Sequence, residues 1–300
     1  MDAVAELLIF EVDAFGIDCA PENRTIRKLV ASTLTNLTFG NSQSKRRLCS
    51  HPNLIEYVIR IIDDSHTLAQ NRTIRKLVAS TLTNLTFGNS QSKRRLCSHP
   101  NLIEYVIRII DDSHTLAQVY AGLLRNLSWM ADAEMSAILA PSVSALARAS
   151  LRAYRVAESK SLARASLRAY RVAESKCLCA TLSALWNLAS HSRDNKKAIC
   201  EEPGFLEMLI ELLTSDAQQT VLVEPASGVL KYASMYLAVV GSDRYLSSSA
   251  LRLLIHRLVE LLNSPSFTII GNVLGVFSQL LAKDHQLRSL VLLVHFQIII

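Results

Sequence analysis

Apolar residues recur every three or four positions along most of this 300-residue chain, and short polar or glycine-containing breaks separate the stretches that carry them. In "NLIEYVIRIIDD" (101–112), Leu102, Ile103, Val106, Ile109 and Ile110 fall on one side of a helix. "VYAGLLRNLSW" (119–129) reads as the next helix, beyond a polar turn. In "EEPGFLEMLIELL" (201–213), Pro203 and Gly204 part a short helix from the one after it. Gly88, closing "LTFG", suits the left-handed residue that ends many helices. The pattern predicts helices throughout and no strands.

The helices also repeat. Asparagine followed by leucine marks one place in each period: Asn36, Asn84, Asn126 and Asn187, spaced by 48, 42 and 61 residues. Two altered phrases continue the series, with Tyr232 and Gln279 at the marker and steps of 45 and 47. Each period holds three helical segments, and a period in the forties is the range of armadillo and HEAT units. One such unit cannot hide its apolar faces alone, but stacked units bury a continuous core. The expected fold is an all-α solenoid.

Two stretches are copied outright. Residues 23–70 recur unchanged as 71–118, and 146–160 recur as 162–176. Solenoid repeats need share only their packing positions, so identity at surface positions too points to recent duplication or to assembly of the gene model. Subtracting the 16-residue offset from the 61-residue step gives 45, back within the period. The 48-residue copy is expected to add a whole layer. The copy at the 16-residue offset is too short for that, and is expected to lengthen a helix or bulge outward.

Composition narrows the function. Half the residues are hydrophobic and the net charge is +6, too small and too scattered for a nucleic-acid-binding signature. Six cysteines show no zinc spacing; Cys177 and Cys179 project about 200° apart on a helix and cannot share a metal. They read as free buried thiols. The uncharged stretch 261–282 contains Asn263, Pro265, Asn272 and Gln279, and the apolar tail 290–300 is about half the length of a membrane span. No phosphate loop, nucleophile elbow or metal-binding helix is present, so no enzyme activity, cofactor or metal is expected. The eight histidines show no partner spacing and receive no chemistry.

"LTNLTFGNSQSKRRLC", "LLRNLSWMAD" and "TLSALWNLASHSRDNKKAIC" together resemble the armadillo-repeat domain of the adenomatous polyposis coli family. The resemblance covers most of residues 1–289 and implies an armadillo-type right-handed superhelix of about six three-helix repeats. It implies a chain that starts mid-repeat and is part of a larger protein, with the tail 290–300 outside the pattern. Tyr232 and Gln279 depart from it, standing where the family has asparagines.

The repeated asparagines carry the functional expectation. A lone asparagine within a helix reads as a satisfied core amide; four at one place in the repeat predict a ladder. A carboxamide can pair with the C=O and N–H of one residue of an extended peptide. Asn84, Asn126 and Asn187 form the expected ladder, with Gly122 on the same helical face as Asn126. Trp129 and Trp186 would supply flat apolar pockets, and Arg125, Lys93 and Lys231 would favour acidic ligand side chains. Lys93 enters the set only through the family resemblance, since "SKRR" by itself reads as a solvated helix start.

The resemblance further implies a non-enzymatic cytoplasmic scaffold, reaching the plasma membrane through partners. It would bind an Asef-like exchange factor, an Amer-like membrane recruiter and kinesin-associated protein, with β-catenin bound by other parts of the parent. The parent would restrain Wnt/β-catenin signalling and act in cell migration and the cytoskeleton. The alternatives are an importin-α-like transport receptor and a β-catenin- or plakoglobin-like adhesion protein. The first has W-x-x-x-N spacing for basic ligands, whereas here Trp186 directly precedes Asn187. The second has about twelve repeats.

Overall fold

The computed structural model describes residues 1–63, 71–161, 168–213, 220–283 and 288. Among these are sixteen α-helices, one 3₁₀ turn and no strand. The chain divides into two compact units, Met1–Leu139 and Ala140–Ile300.

The first unit runs α1 (Asp2–Phe15), α2 (Pro21–Thr38), α3 (Ser42–Ser50), α4 (Leu54–Asp63), α5 (Arg72–Thr86), α6 (Ser90–Cys97), α7 (Leu102–Asp112), α8 (His114–Ser128) and α9 (Ala133–Leu139). Triplets α3–α5 and α6–α8 are complete repeats: a short first helix, then a second and a third. Third helices stack as α2, α5 and α8, and second helices as α1, α4 and α7. The five apolar positions that sequence spacing assigns to α7 are its buried ones. Their copies in α4, Leu54, Ile55, Val58, Ile61 and Ile62, are buried as well. Each of these buried aliphatic side chains stabilises the stack by about 1.5–3 kcal/mol. The two 48-residue copies thus supply α2–α4 and α5–α7, one triplet each.

Polar groups close the helix ends. The short first helices start on side-chain caps: Asn41 Oδ1 accepts from Gln43 and Ser44, Asn89 Oδ1 from Ser92, and Asp132 Oδ1 from Met135. The backbone N–H of Met135, helped by Arg94, holds the Asp132 carboxyl below its usual range. The buried Arg27 guanidinium donates to Glu11 O, Gly16 O and Ile17 O at 2.6, 2.5 and 3.1 Å, satisfying carbonyls at the end of α1. His51 Nε2 meets Glu6 at 3.1 Å, and its copy His99 meets Glu56 at 2.7 Å. Sequence spacing gave no hint of these pairs, because each joins residues in different layers.

The second unit runs α10 (Ser142–Ser161), α11 (Arg168–His191), α12 (Arg193–Glu201), α13 (Phe205–Leu212), α14 (Thr220–Val240), a 3₁₀ turn (Ser242–Arg244), α15 (Ser248–Leu261) and α16 (Phe267–Lys283). Third helices stack as α11, α14 and α16, and second helices as α10, α13 and α15. The last repeat departs from the three-helix expectation. Between Gly241, at φ 96°, and the Ser247 cap of α15, only one 3₁₀ turn fits. Pro225 lies inside α14 and lacks the N–H that would bond Val221 O. Cys179 Sγ, on α11, fills that place at 3.8 Å.

The first 15-residue copy ends α10 and the second runs into α11, helices of 20 and 24 residues; residues 162–167 between them lie outside the described residues. The second helices α7 and α13 have 11 and 8 residues. Ser150 and Thr181 join α10 to α11 through a buried hydrogen bond of 2.8 Å. The tail 290–300 also lies outside the described residues.

All six cysteines are free; Cys179 is half-buried and the other five are buried. Burial pushes the thiols of Cys97 and Cys200 up to about 11 and about 12, far from reactivity at neutral pH. Among the described residues no group of three or more His, Cys, Asp or Glu could hold a metal ion, and no helix is long and apolar enough to cross a membrane.

Candidate functional site

Every marker residue lies on a third helix: Asn36 on α2, Asn84 on α5, Asn126 on α8, Asn187 on α11, Tyr232 on α14 and Gln279 on α16. Within the first unit the asparagines are tied to their neighbours. Asn84 Nδ2 donates to Thr35 O at 3.1 Å, and Asn126 Nδ2 donates to Thr83 O at 3.0 Å. Each bond lands one residue before the preceding marker, so the ladder staples one third helix to the next. Asn84 Nδ2 also donates to Thr38 Oγ1 at 3.3 Å. An amide has two N–H groups and a carbonyl, so the Oδ1 of each, and one N–H of Asn126, remain for a ligand. Asn126 is 9% exposed and Asn84 half-buried, while Asn36 is exposed.

Three residues beyond each marker in this unit stands an aromatic ring. Phe39, Phe87 and Trp129 follow the ends of α2, α5 and α8 and are 79%, 69% and 60% exposed. Trp129 stands out in the sequence where the two phenylalanines do not, although aligning "NLTF" with "NLSW" puts them in one column. Arg125, on the same helix, is exposed. Gly122 is half-buried, and a Cβ added there would meet nothing within 4 Å, leaving open space beside Asn126.

Lys93 differs from expectation. It is 8% exposed, and its ammonium donates to Trp129 O at 2.7 Å. Its copy Lys45 donates to Phe87 O at 3.3 Å and lies 5.3 Å from the Phe87 ring. Each lysine of a first helix thus closes the end of its own repeat's third helix, where a cation suits the carbonyl end of the dipole. Burial holds the Lys93 ammonium below its ordinary range. Lys93 is a fixed element of the α8 terminus and not a free cation for a ligand.

In the second unit, Trp186 on α11 lies against α14. A Cβ at Gly228 would stand 2.3 Å from its indole ring. One face of Trp186 is therefore spent on packing, where sequence analysis expected an open pocket. One layer further, the stem of Lys231 crosses Gly275 of α16, where a Cβ would come within 2.9 Å. Small residues four before the marker, Gly228 and Gly275, receive the side chain one before the preceding marker. Asn187 is half-buried beside Trp186. Lys196, which sequence analysis passed over, sits four residues before Cys200 as Lys45 and Lys93 sit before Cys49 and Cys97. Of the candidate residues, Asn84, Lys93, Gly122, Arg125, Asn126 and Trp129 lie in the first unit, and Trp186, Asn187 and Lys231 in the second.

No family model matches the chain. Several relatives, the following two among them, match over nearly its whole length. The APC-related protein 1 of Caenorhabditis briggsae is 40% identical over 293 residues, 97% of this chain and 19% of the relative. The adenomatous polyposis coli protein 2 of Homo sapiens is 34% identical over 287 residues, 95% of this chain and 10% of the relative. The chain thus spans about a fifth of the first relative and a tenth of the second. Among solved structures, a designed armadillo repeat protein matches with a TM-score of 0.63 at 13% identity, covering 92% of this chain and 99% of that one. At that identity the structural likeness speaks for the fold.

Proposed function

With the chain carrying an armadillo-repeat region of the adenomatous polyposis coli family, we propose that it is a non-enzymatic scaffold whose third-helix faces hold extended, acidic segments of partner proteins. The asparagine ladder carries this reading. In the first unit it repeats the same donor–acceptor geometry layer after layer, and each amide keeps its oxygen unspent, Asn126 one N–H as well. Such a row grips a peptide backbone without regard to sequence, and Phe87, Trp129 and Arg125 then select among side chains. Arg125 and Lys231 oppose a basic ligand of the importin-α type.

In a longer protein, this face would bind Asef-like exchange factors, Amer-like membrane recruiters and kinesin-associated protein. The whole would restrain Wnt/β-catenin signalling and act at the cytoskeleton from the cytoplasm. Titration calorimetry with an acidic peptide derived from such a partner tests the reading. Asn126→Ala should weaken binding by about 1–3 kcal/mol, because peptide backbone groups lose their partners. Unchanged affinity in that variant, with the fold intact, would remove the ladder from the site.

A further inference from the structure

Two ladder positions in the second unit have no asparagine, Tyr232 and Gln279, and the side chains around the first form a site of their own. Tyr232 on α14 stands between two ammonium groups. Lys231 Nζ, from the preceding residue, is 5.7 Å from its ring centroid, and Lys196 Nζ, from α12, is 5.8 Å away. Lys196 occupies the position of Lys45 and Lys93, yet it closes no third helix: its ammonium donates to Ser192 O at 3.1 Å, within its own helix start. Lys231 is seated by its stem across Gly275, so its head group is held beside the ring. Among the described residues neither lysine forms an ion pair, and the Tyr232 hydroxyl makes no hydrogen bond. The ring attracts both ammonium groups. An anion reaching both would add charge-assisted bonds and offset the desolvation of Lys196, whose ammonium burial holds below its ordinary range. The phenol O–H adds a third donor.

We infer that Lys196, Tyr232 and Lys231 form a subsite for one anionic group, a carboxylate or phosphate, of the segment bound on the third-helix face. The inference rests on the peptide-binding reading above and assigns the acidic preference a place. Where Asn84 and Asn126 hold backbone, this layer holds a charged side chain, because lysine and tyrosine replace the carboxamide with charge-assisted donors.

The test uses the full chain and four probes: blocked hexaglutamate, blocked hexaglutamine, a blocked peptide with one phosphoserine, and inorganic phosphate. The wild type should bind hexaglutamate more tightly than hexaglutamine. Lys231→Met and Lys196→Met should each cut that preference about fivefold or more, with the effect shrinking at high salt. Lys231 is half-exposed, so its variant decides the matter if the Lys196 variant fails to fold. An undiminished preference in a folded Lys231→Met would overturn the subsite. Tighter binding of the phosphoserine peptide than of its serine form, lost in the same variant, would support it and make phosphate the favoured group. If the wild type binds none of the peptides, the peptide-binding reading falls and phosphate alone judges the subsite. A rise in melting temperature with phosphate that Lys231→Met abolishes sustains it, with free phosphate as its source; no such rise overturns it.

Discussion

At the scale of single residues, the third helices are ruled by what one layer lays upon the next. Trp186 fits because Gly228 has no Cβ; an added carbon would stand 2.3 Å from the indole. Gly228→Ala should therefore destabilise the protein by about 1–3 kcal/mol through overpacking. With Trp186→Leu already in place, the same change should instead stabilise by about 0.5–1 kcal/mol, the helix-propensity gain of alanine over glycine. A double-mutant cycle by urea unfolding reads both numbers, and equal costs in the two backgrounds would show that the ring and the glycine do not couple. Glycine before the marker was visible in "GVLKY" and "GVFSQ". That its purpose is to receive a neighbour's side chain was not, because the neighbour lies more than 40 residues away.

At the scale of elements, first and third helices are joined through their ends. Lys93 holds the terminus of α8 by one bond to Trp129 O, and its proton has a cost. Burial lowers its folded pKa below 10.5, so the unfolded chain binds that proton more tightly. The charged lysine thus costs stability at neutral pH, and the cost fades as the pH rises through its folded pKa toward 10.5. The neutral amine still donates to the carbonyl. Lys93→Met should lose about 0.5–1.5 kcal/mol at pH 7 for want of that hydrogen bond. The gap between wild type and variant should widen between pH 7 and pH 10, since only the wild type sheds the penalty. Urea titrations across this range check the sign; a narrowing gap would mean the ammonium is favoured by folding.

At the scale of the molecule, the exact copies make an unusual deletion possible. Removing residues 71–118 joins Gln70 to Val119 and recreates the junction that Gln118 makes in the present chain. The shortened protein should fold, with its helical signal per residue unchanged and its denaturant m-value lower by roughly a sixth, in proportion to the surface lost. Loss of cooperative unfolding would show that the duplicated layer is indispensable. Charge also acts over this range. Arg125→Glu should weaken an acidic peptide more at low salt than at high salt, since exposed charges are screened beyond about a Debye length, roughly 10 Å at 0.1 M. Equal losses at both salt levels would assign Arg125 a packing role.

The sequence by itself determined the helices, their order and their period. Apolar spacing is a local property, and α7 buries the five residues that spacing named. It also placed the markers on the third helices, because a residue repeated at one place in the period falls on the same helix of each repeat. Only the tertiary structure decided how each polar group is spent. Lys93 and Lys196 occupy the same place in their repeats, yet one closes a helix and the other stands beside Tyr232. Asn84 and Asn126 give an N–H to the preceding layer, and Trp186 gives a face to Gly228. These partnerships join residues some 35–50 positions apart, at distances where an ångström separates a bond from none. Periodicity fixes which face a side chain occupies; the packing of one layer on the next fixes which atom it reaches.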